Sequence, residues 1–190
     1  MYIGLYFGSF NPIHHGHLMI ASYIVQHSDL DQVWFILSPQ NPLKPSSSLL
    51  NEYHRLHLVN LAIEGDKNLK ASDIEFKLPR PSYTADTLAY LLEKYPQHHF
   101  AVLMGSDSLE NLSKWKNYSY IIKHFPLYIY KRAGFEQPKT YPGAQIFLMD
   151  APLIPISSTH IRDKIKTGQT IRYLVPEQVR EEIEQNGYYR

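Results

Sequence analysis

Two groups of nitrogen and hydroxyl donors, one near each end of the chain, have the types and spacing for anion chemistry. The first lies in Gly8–His17, which reads GSFNPIHHGH. His14 and His17 stand three residues apart, so at a helix start both imidazoles can point to one side. An imidazole donates a hydrogen bond, and it gains a charge where a phosphate raises its pKa. Gly8 and Gly16 let the backbone approach a ligand closely, and Pro12 stiffens the turn between them. The free N–H groups and the dipole of a helix start add to the attraction for an anion. The second group is Ile156–Arg162, ISSTHIR. Ser157, Ser158 and Thr159 bring hydroxyls and backbone N–H groups to a helix start, with the forked guanidinium of Arg162 one turn on. Alone, that segment reads as a capped helix carrying an exposed Arg. Opposite the histidine turn, it reads as the other half of a phosphate site.

These donors need a scaffold, and the apolar patterning supplies one. MYIGLYF, just before the first group, is a short apolar run of the kind buried in a sheet, and Leu18, Ile20, Ala21, Ile24 and Val25 recur at helical spacing after it. QVWFIL at 32–37 is a second such run. Strand, helix, strand in so short a span is a βαβ unit with a right-handed crossover. The expected fold is therefore α/β: one Rossmann-like, doubly wound domain over residues 1–190. Its mainly parallel sheet has five to six strands and helices on both faces, and the C-terminal helices from about 157 pack on the same sheet.

The Pro-rich segment 38–48 reads as a loop at a strand's C-terminal end, where open α/β sheets bind ligands, and Lys44 is its only cation. A helix follows over 51–63, with Leu56, Val59, Leu61 and Ala62 inward. Its His54 and His57, at i and i+3, read as surface or capping residues, with a metal pair as the alternative that lacks a third ligand nearby. Residues 70–77 alternate partially and suggest one edge strand. Ser82 or Thr84 caps the next helix, whose inward positions are Ala85, Leu88, Leu91 and Leu92. FAVLM at 100–104 is a central strand that runs through Gly105 and Asp107 into a helix near 108–112. Asp107 is either an N-cap or a group for ribose hydroxyls or a metal. Trp115, set between Lys114 and Lys116, reads as a half-exposed ring suited to stacking on a planar ligand. Two further strands over 126–130 and 145–148, a helix from Ser157 to Gly168, and a last helix with Pro176 at its first position and Gly187 at its stop complete the pattern.

Composition removes whole classes of function. A net charge of +1 leaves no footprint for nucleic acid. The absence of Cys excludes disulfides, thiol nucleophiles and thiolate metal sites. No stretch approaches the ~20 apolar residues of a membrane span, and the first residues lack a basic leader, so a cytoplasmic protein is expected. Homo-oligomerisation stays open.

The sequence His14-His15-Gly16-His17 after a first strand, paired with ISSTHIR about 140 residues later, resembles the nucleotidyltransferase superfamily related to class I aminoacyl-tRNA synthetases. Within it, the chain is similar over nearly its whole length to the bacterial nicotinate mononucleotide adenylyltransferase family. The matching pieces are GSFNPIHHGH, NPLKP, PSYTADTL, MGSDSLENLSKWKNY, ISSTHIR and IRYLVPEQV. That resemblance implies transfer of AMP from ATP to nicotinate mononucleotide, with Mg²⁺ carried mainly by the ATP phosphates rather than by protein ligands. It assigns catalysis to His14, His17 and Arg162. Gly8, Ser9, Phe10, Gly16, Gly105, Asp107, Ser157, Ser158 and Thr159 go to ATP, and Lys44, Thr84, Trp115 and Lys116 to the pyridine nucleotide. Ser9 and Asn11 replace the family's usual Thr and Asp, and Lys116 replaces a frequent Tyr. Two other readings remain: an adenylyltransferase for a different small acceptor, such as phosphopantetheine adenylyltransferase, and a nucleotide-binding module without catalysis. A metal-dependent hydrolase built on His15-x-His17 would need a barrel of ~250 residues, longer than this chain.

Overall fold

A computed structural model describes residues 1–40, 49–134, 139–152 and 154–190. Its strands are β1 (Tyr2–Gly8), β2 (Gln32–Leu37), β3 (Leu69–Ser72), β4 (His99–Gly105), β5 (Leu127–Tyr130) and β6 (Ile146–Met149). The helices are α1 (His15–Gln26), α2 (Glu52–Ala62), α3 (Thr84–Lys94), α4 (Ser106–Glu110), α5 (Tyr118–His124), α6 (Ser158–Lys166) and α7 (Glu177–Asn186).

The six strands form one sheet in the order β3-β2-β1-β4-β5-β6, with every neighbouring pair parallel. Apolar runs make such strands because a parallel sheet is covered on both faces. Successive residues alternate between two cores: Val33, Phe35 and Leu37 of β2 face one, Trp34 and Ile36 the other. The first core also takes residues of α1, α2, α6 and α7, such as Ala21, Leu58, Ile161 and Val179. The second takes Ala85, Leu88 and Leu91 of α3 and Ile121 of α5. The Rossmann-like architecture with helices on both faces is thus as the patterning implies, and α6 and α7 share the sheet's own core.

The chain winds outward from β1 through β2 to β3, then returns to the other side of β1 for β4 and continues to β6. The strand order therefore reverses between β1 and β4, and a crevice opens at their C-terminal ends, where ligands of such sheets bind. Gly8 and Gly105 end these two strands.

Several local expectations need correction. The segment 70–77 is not one strand: β3 stops at Ser72, and Ile74–Lys77 forms a 3₁₀ turn. Neither Ser82 nor Thr84 caps α3: Thr84 is its first residue, so Tyr83 holds the N-cap position without a side-chain bond, and Ser82, one place ahead, donates its hydroxyl to Glu75. Asp107 is not an N-cap but lies in the first turn of α4, which starts two residues earlier than expected. Pro176 is the N-cap of α7, one place ahead of its expected position. On α2 the most buried residues are Arg55, Leu58 and Val59, with Leu56, Leu61 and Ala62 packed partly against the same core. Leu92, expected inward, is exposed. Helix α5, Tyr118–His124, has no counterpart among the expected elements; it is only seven residues long and buries Ile121.

Candidate active site

At the crevice lies a cleft of about 860 Å³, bordered by the ends of β1 and β4 and by the starts of α1, α3, α4 and α6. That volume suits a ligand of cofactor size. His14 is the N-cap of α1 and nearly buried, and its ring stacks on that of His17 with centroids 3.6 Å apart and planes 23° from parallel. A Cβ at residue 16 would lie 3.0 Å from the His14 ring, so glycine there lets the imidazole fold back over the helix start. Burial first, then the positive charges of Arg132 and His15, push the His14 pKa down to about 3. The ring is therefore neutral at pH 7 and works as a hydrogen-bonding dipole. Its Nδ1 has no hydrogen-bond partner among the described residues.

Phe10 holds a left-handed backbone (φ +44) and is buried, with its ring edge-on to His17 at 5.1 Å and lying across Gly8. A Cβ on Gly8 would stand 2.8 Å from that ring, so β1 must end in glycine for Phe10 to seat. Phe10 borders the cleft, and its buried ring packs against His17.

The second donor group docks directly on the first. The Ser157 hydroxyl caps α6 by accepting the His160 N–H at 3.1 Å, and Ser158 Oγ donates to the Pro12 carbonyl at 2.9 Å. Arg162 donates through Nη1 to the Asn11 carbonyl at 2.8 Å and through Nη2 to Thr159 Oγ1 at 3.2 Å. Gly8, Ser9, His14, His17, Ser157, Ser158, Thr159 and Arg162 all line the cleft, while Gly16 supports it from behind His14.

Asp107 Oδ1 lies 3.8 Å from Arg132 Nε on the β4 wall, and both side chains cross Gly105, where a Cβ would meet Asp107 at 2.4 Å. Arg132 was not singled out from sequence. Its signal was position, a cation two residues past the C-terminal end of β5, in a stretch that reads only as polar loop. Beneath it the hydroxyls of Tyr6 and Tyr130 pair at 3.0 Å, and burial holds the Tyr6 pKa well above the usual phenol value.

Thr84, Trp115 and Lys116 line the far end of the cleft. Trp115 is half-buried, as expected. The Lys116 ammonium is engaged by Asp86 at 2.8 Å and sits over the Tyr83 ring at 4.6 Å. Lys44 lies outside the described residues.

The other missed residue is Arg55, a charge with no exposed surface. It donates to the carbonyls of Ser9 (2.6 Å), Ser38 (2.9 Å), Pro39 (3.1 Å) and Leu50 (2.8 Å), and so ties the Gly8–Asn11 turn to the end of β2 and the start of α2. His57 meets Glu182 of α7 at 3.6 Å, and His54 meets Tyr188, two residues past the end of that helix, at 2.9 Å. No helix among the described residues is long and apolar enough to cross a membrane.

Residues 5–164 match the cytidylyltransferase-like family. A relative from Flavobacterium johnsoniae that carries the name nicotinate-nucleotide adenylyltransferase is 48% identical over all of both chains. The chain belongs to the nicotinate-nucleotide adenylyltransferases. A member named likewise from Bacteroides thetaiotaomicron is 41% identical over 96% of this chain and 93% of its own. Among solved structures, the nicotinic acid mononucleotide adenylyltransferase of Plasmodium falciparum complexed with NaAD shares the fold, with a TM-score of 0.83 at 20% identity over 99% of this chain and 97% of that one. A nicotinate-nucleotide adenylyltransferase structure from Vibrio parahaemolyticus gives 0.73 at 21% identity, over 100% and 95%.

Proposed function

We propose that this chain, acting as one nucleotidyltransferase domain, transfers AMP from ATP to nicotinate mononucleotide and releases pyrophosphate. The observation that carries the reading is the meeting of the two donor groups, from opposite ends of the sequence, in one cleft whose far end holds Trp115.

The acceptor's phosphate is already anionic at pH 7, its second pKa being about 6, so its oxygen attacks the α-phosphorus without a general base. The new P–O bond forms as the bond to the β-phosphate's bridging oxygen breaks, and that electron pair leaves on pyrophosphate. What remains for the protein is in-line alignment and stabilisation of charge on the phosphoryl oxygens. His17 and His14 serve the α- and β-phosphates. Arg162, with Ser157 and Ser158, holds the leaving pyrophosphate and exchanges its internal carbonyl contacts for phosphate oxygens. Backbone at Gly8, Ser9 and Gly16 lets the triphosphate lie close, and Thr159 keeps the Arg162 fork in orientation. Gly105 and Asp107 receive the nucleoside, Asp107 accepting from ribose hydroxyls.

For the acceptor, Trp115 stacks on the pyridine, Thr84 and the backbone of Lys116 hold its carboxylate, and Lys44 meets its phosphate. Helix-start N–H groups favour a carboxylate over a neutral amide, which selects nicotinate rather than nicotinamide. The cleft's donors are mostly imidazole, guanidinium and hydroxyl, chemistry that suits phosphate oxygens better than a hard cation. Mg²⁺ would therefore be held mainly by the ATP phosphates and water, and would supply neutralisation of phosphate charge.

The test is pyrophosphate release from MgATP, with nicotinate mononucleotide, nicotinamide mononucleotide and phosphopantetheine compared side by side. Release driven chiefly by the first supports the reading; a preference for phosphopantetheine overturns the acceptor assignment.

A further inference from the structure

One buried charged group in the cleft wall has no part in the chemistry above. Glu75, in the 3₁₀ turn Ile74–Lys77, is almost wholly buried and borders the cleft. Its two carboxylate oxygens are held separately: Oε2 accepts from Ser82 Oγ at 2.6 Å, and Oε1 from Thr87 Oγ1 at 2.8 Å. Burial pushes the Glu75 carboxyl up, and the hydroxyls of Ser82, Thr87 and Ser38 offset part of that rise. Ser82 and Thr87 are themselves buried. They bracket the start of α3, one just before its N-cap Tyr83 and the other at its fourth residue. Ser38 follows the last residue of β2, donates its own N–H to the Gly8 carbonyl at 3.0 Å, and gives its carbonyl to Arg55.

We infer that Glu75 is a positioning residue, whose carboxylate clamps the start of α3 to the end of β2 and so fixes Thr84 at the acceptor's end of the cleft. The physical case is one of substitution. Helix α3 has no side-chain cap of its own: Tyr83 holds the N-cap position without a side-chain bond, while Ser82 and Thr87 on either side of it donate their hydroxyls to Glu75. A helix start without its cap is held by whatever else grips its first turn. Here that grip is a pair of charge-assisted hydrogen bonds, short and directional. Glu75 bonds Ser82 and Thr87, which flank Thr84 in the chain, and none of the Ser157–Arg162 group, so loosening it affects acceptor recognition ahead of ATP.

The inference rests on the reading that Thr84 faces the pyridine nucleotide, and two measurements separate the two. Hydrogen–deuterium exchange of Glu75→Ala against wild type needs no substrate. Faster exchange confined to a peptide over 80–90, at least tenfold, is expected, and unchanged exchange there overturns the inference whatever the enzyme acts on. Steady-state kinetics of the same variant should show KM for nicotinate mononucleotide raised about tenfold with KM for ATP within twofold. An equal rise in both, or a loss of kcat alone, overturns it. Glu75→Gln keeps the volume and serves if the alanine variant does not fold; it should show the same split at smaller size. Wild-type enzyme inactive with nicotinate mononucleotide contradicts the proposed function and leaves the exchange measurement to decide on Glu75.

Discussion

The guanidinium of Arg162 reaches 151 positions back along the chain to donate to the carbonyl of Asn11 at 2.8 Å. One bond thus closes the two donor groups on each other and holds the guanidinium beside the histidine turn. Replacing Arg162 with Ala should lower turnover at least a hundredfold, or about 3 kcal/mol of transition-state stabilisation, because its donors serve charge that grows on the leaving group. The fold should lose only about 1 kcal/mol, the worth of an internal hydrogen bond. Arg162→Lys keeps the charge but not the fork, and should recover only part of the rate. Steady-state kinetics with thermal unfolding measures both; near wild-type turnover removes Arg162 from the reaction.

His14 makes a pH prediction with a definite sign. Its folded pKa is pushed below the ordinary histidine value to about 3, so between about 3 and 6.5 the unfolded chain takes up the proton and the folded chain does not. The corresponding stability is fully present above pH 6.5 and lost as pH falls towards 3. By pH 5 the loss attributable to this residue is about 2 kcal/mol. Urea unfolding of wild type and His14→Gln over pH 7 to 4.5 checks it: the wild-type curve should fall more steeply, and parallel curves contradict it.

Arg55 should be the most costly surface-free charge to remove. Its guanidinium is fully buried and satisfies four backbone carbonyls. Arg55→Ala leaves those acceptors unpaired beside a cavity, which should cost more than about 3 kcal/mol and lower Tm by roughly 6–12 °C in a chain of this size. Calorimetry decides; a Tm within two degrees of wild type contradicts the clamp.

Trp115 should act on one substrate only. Removing an aromatic stacking surface costs about 1–3 kcal/mol, so Trp115→Ala should raise KM for the pyridine nucleotide about tenfold or more while leaving that for ATP nearly unchanged. Trp115→Phe should lie between. An unchanged KM for the acceptor removes Trp115 from the site.

The sheet was legible because its strands are apolar on both faces: MYIGLYF, QVWFIL and FAVLM announce a parallel sheet without help from tertiary contacts. His14, His17 and Arg162 stood out as candidates because each belongs to a short run of donors at a helix start, but their roles came from the pairing of the two runs and the resemblance that carries it. What the sequence concealed has one physical cause. Arg55, Glu75 and Arg132 are polar residues whose partners lie elsewhere in the chain: Arg55 on the carbonyls of Ser9 and Ser38, Glu75 on Ser82 and Thr87, Arg132 beside Asp107. Read along the chain, each looks like an ordinary exposed charge. The same cause misplaced the α3 cap: Ser82 has the right type for capping but stands one residue ahead of the N-cap, with its hydroxyl donated to the distant Glu75. The segment 70–77 misled for a different reason: partial alternation does not distinguish a strand from a 3₁₀ turn that buries Ile74 and Glu75.

The central claim is that an acceptor phosphate attacks the α-phosphorus of ATP in this cleft. Its most direct test is a single-turnover reaction of the enzyme with MgATP labelled at the α-phosphate and nicotinate mononucleotide, with the products separated and identified by mass. All converted label is predicted in nicotinate adenine dinucleotide, matched one for one by unlabelled pyrophosphate. Label recovered in free AMP or ADP, or left entirely in ATP, would contradict it.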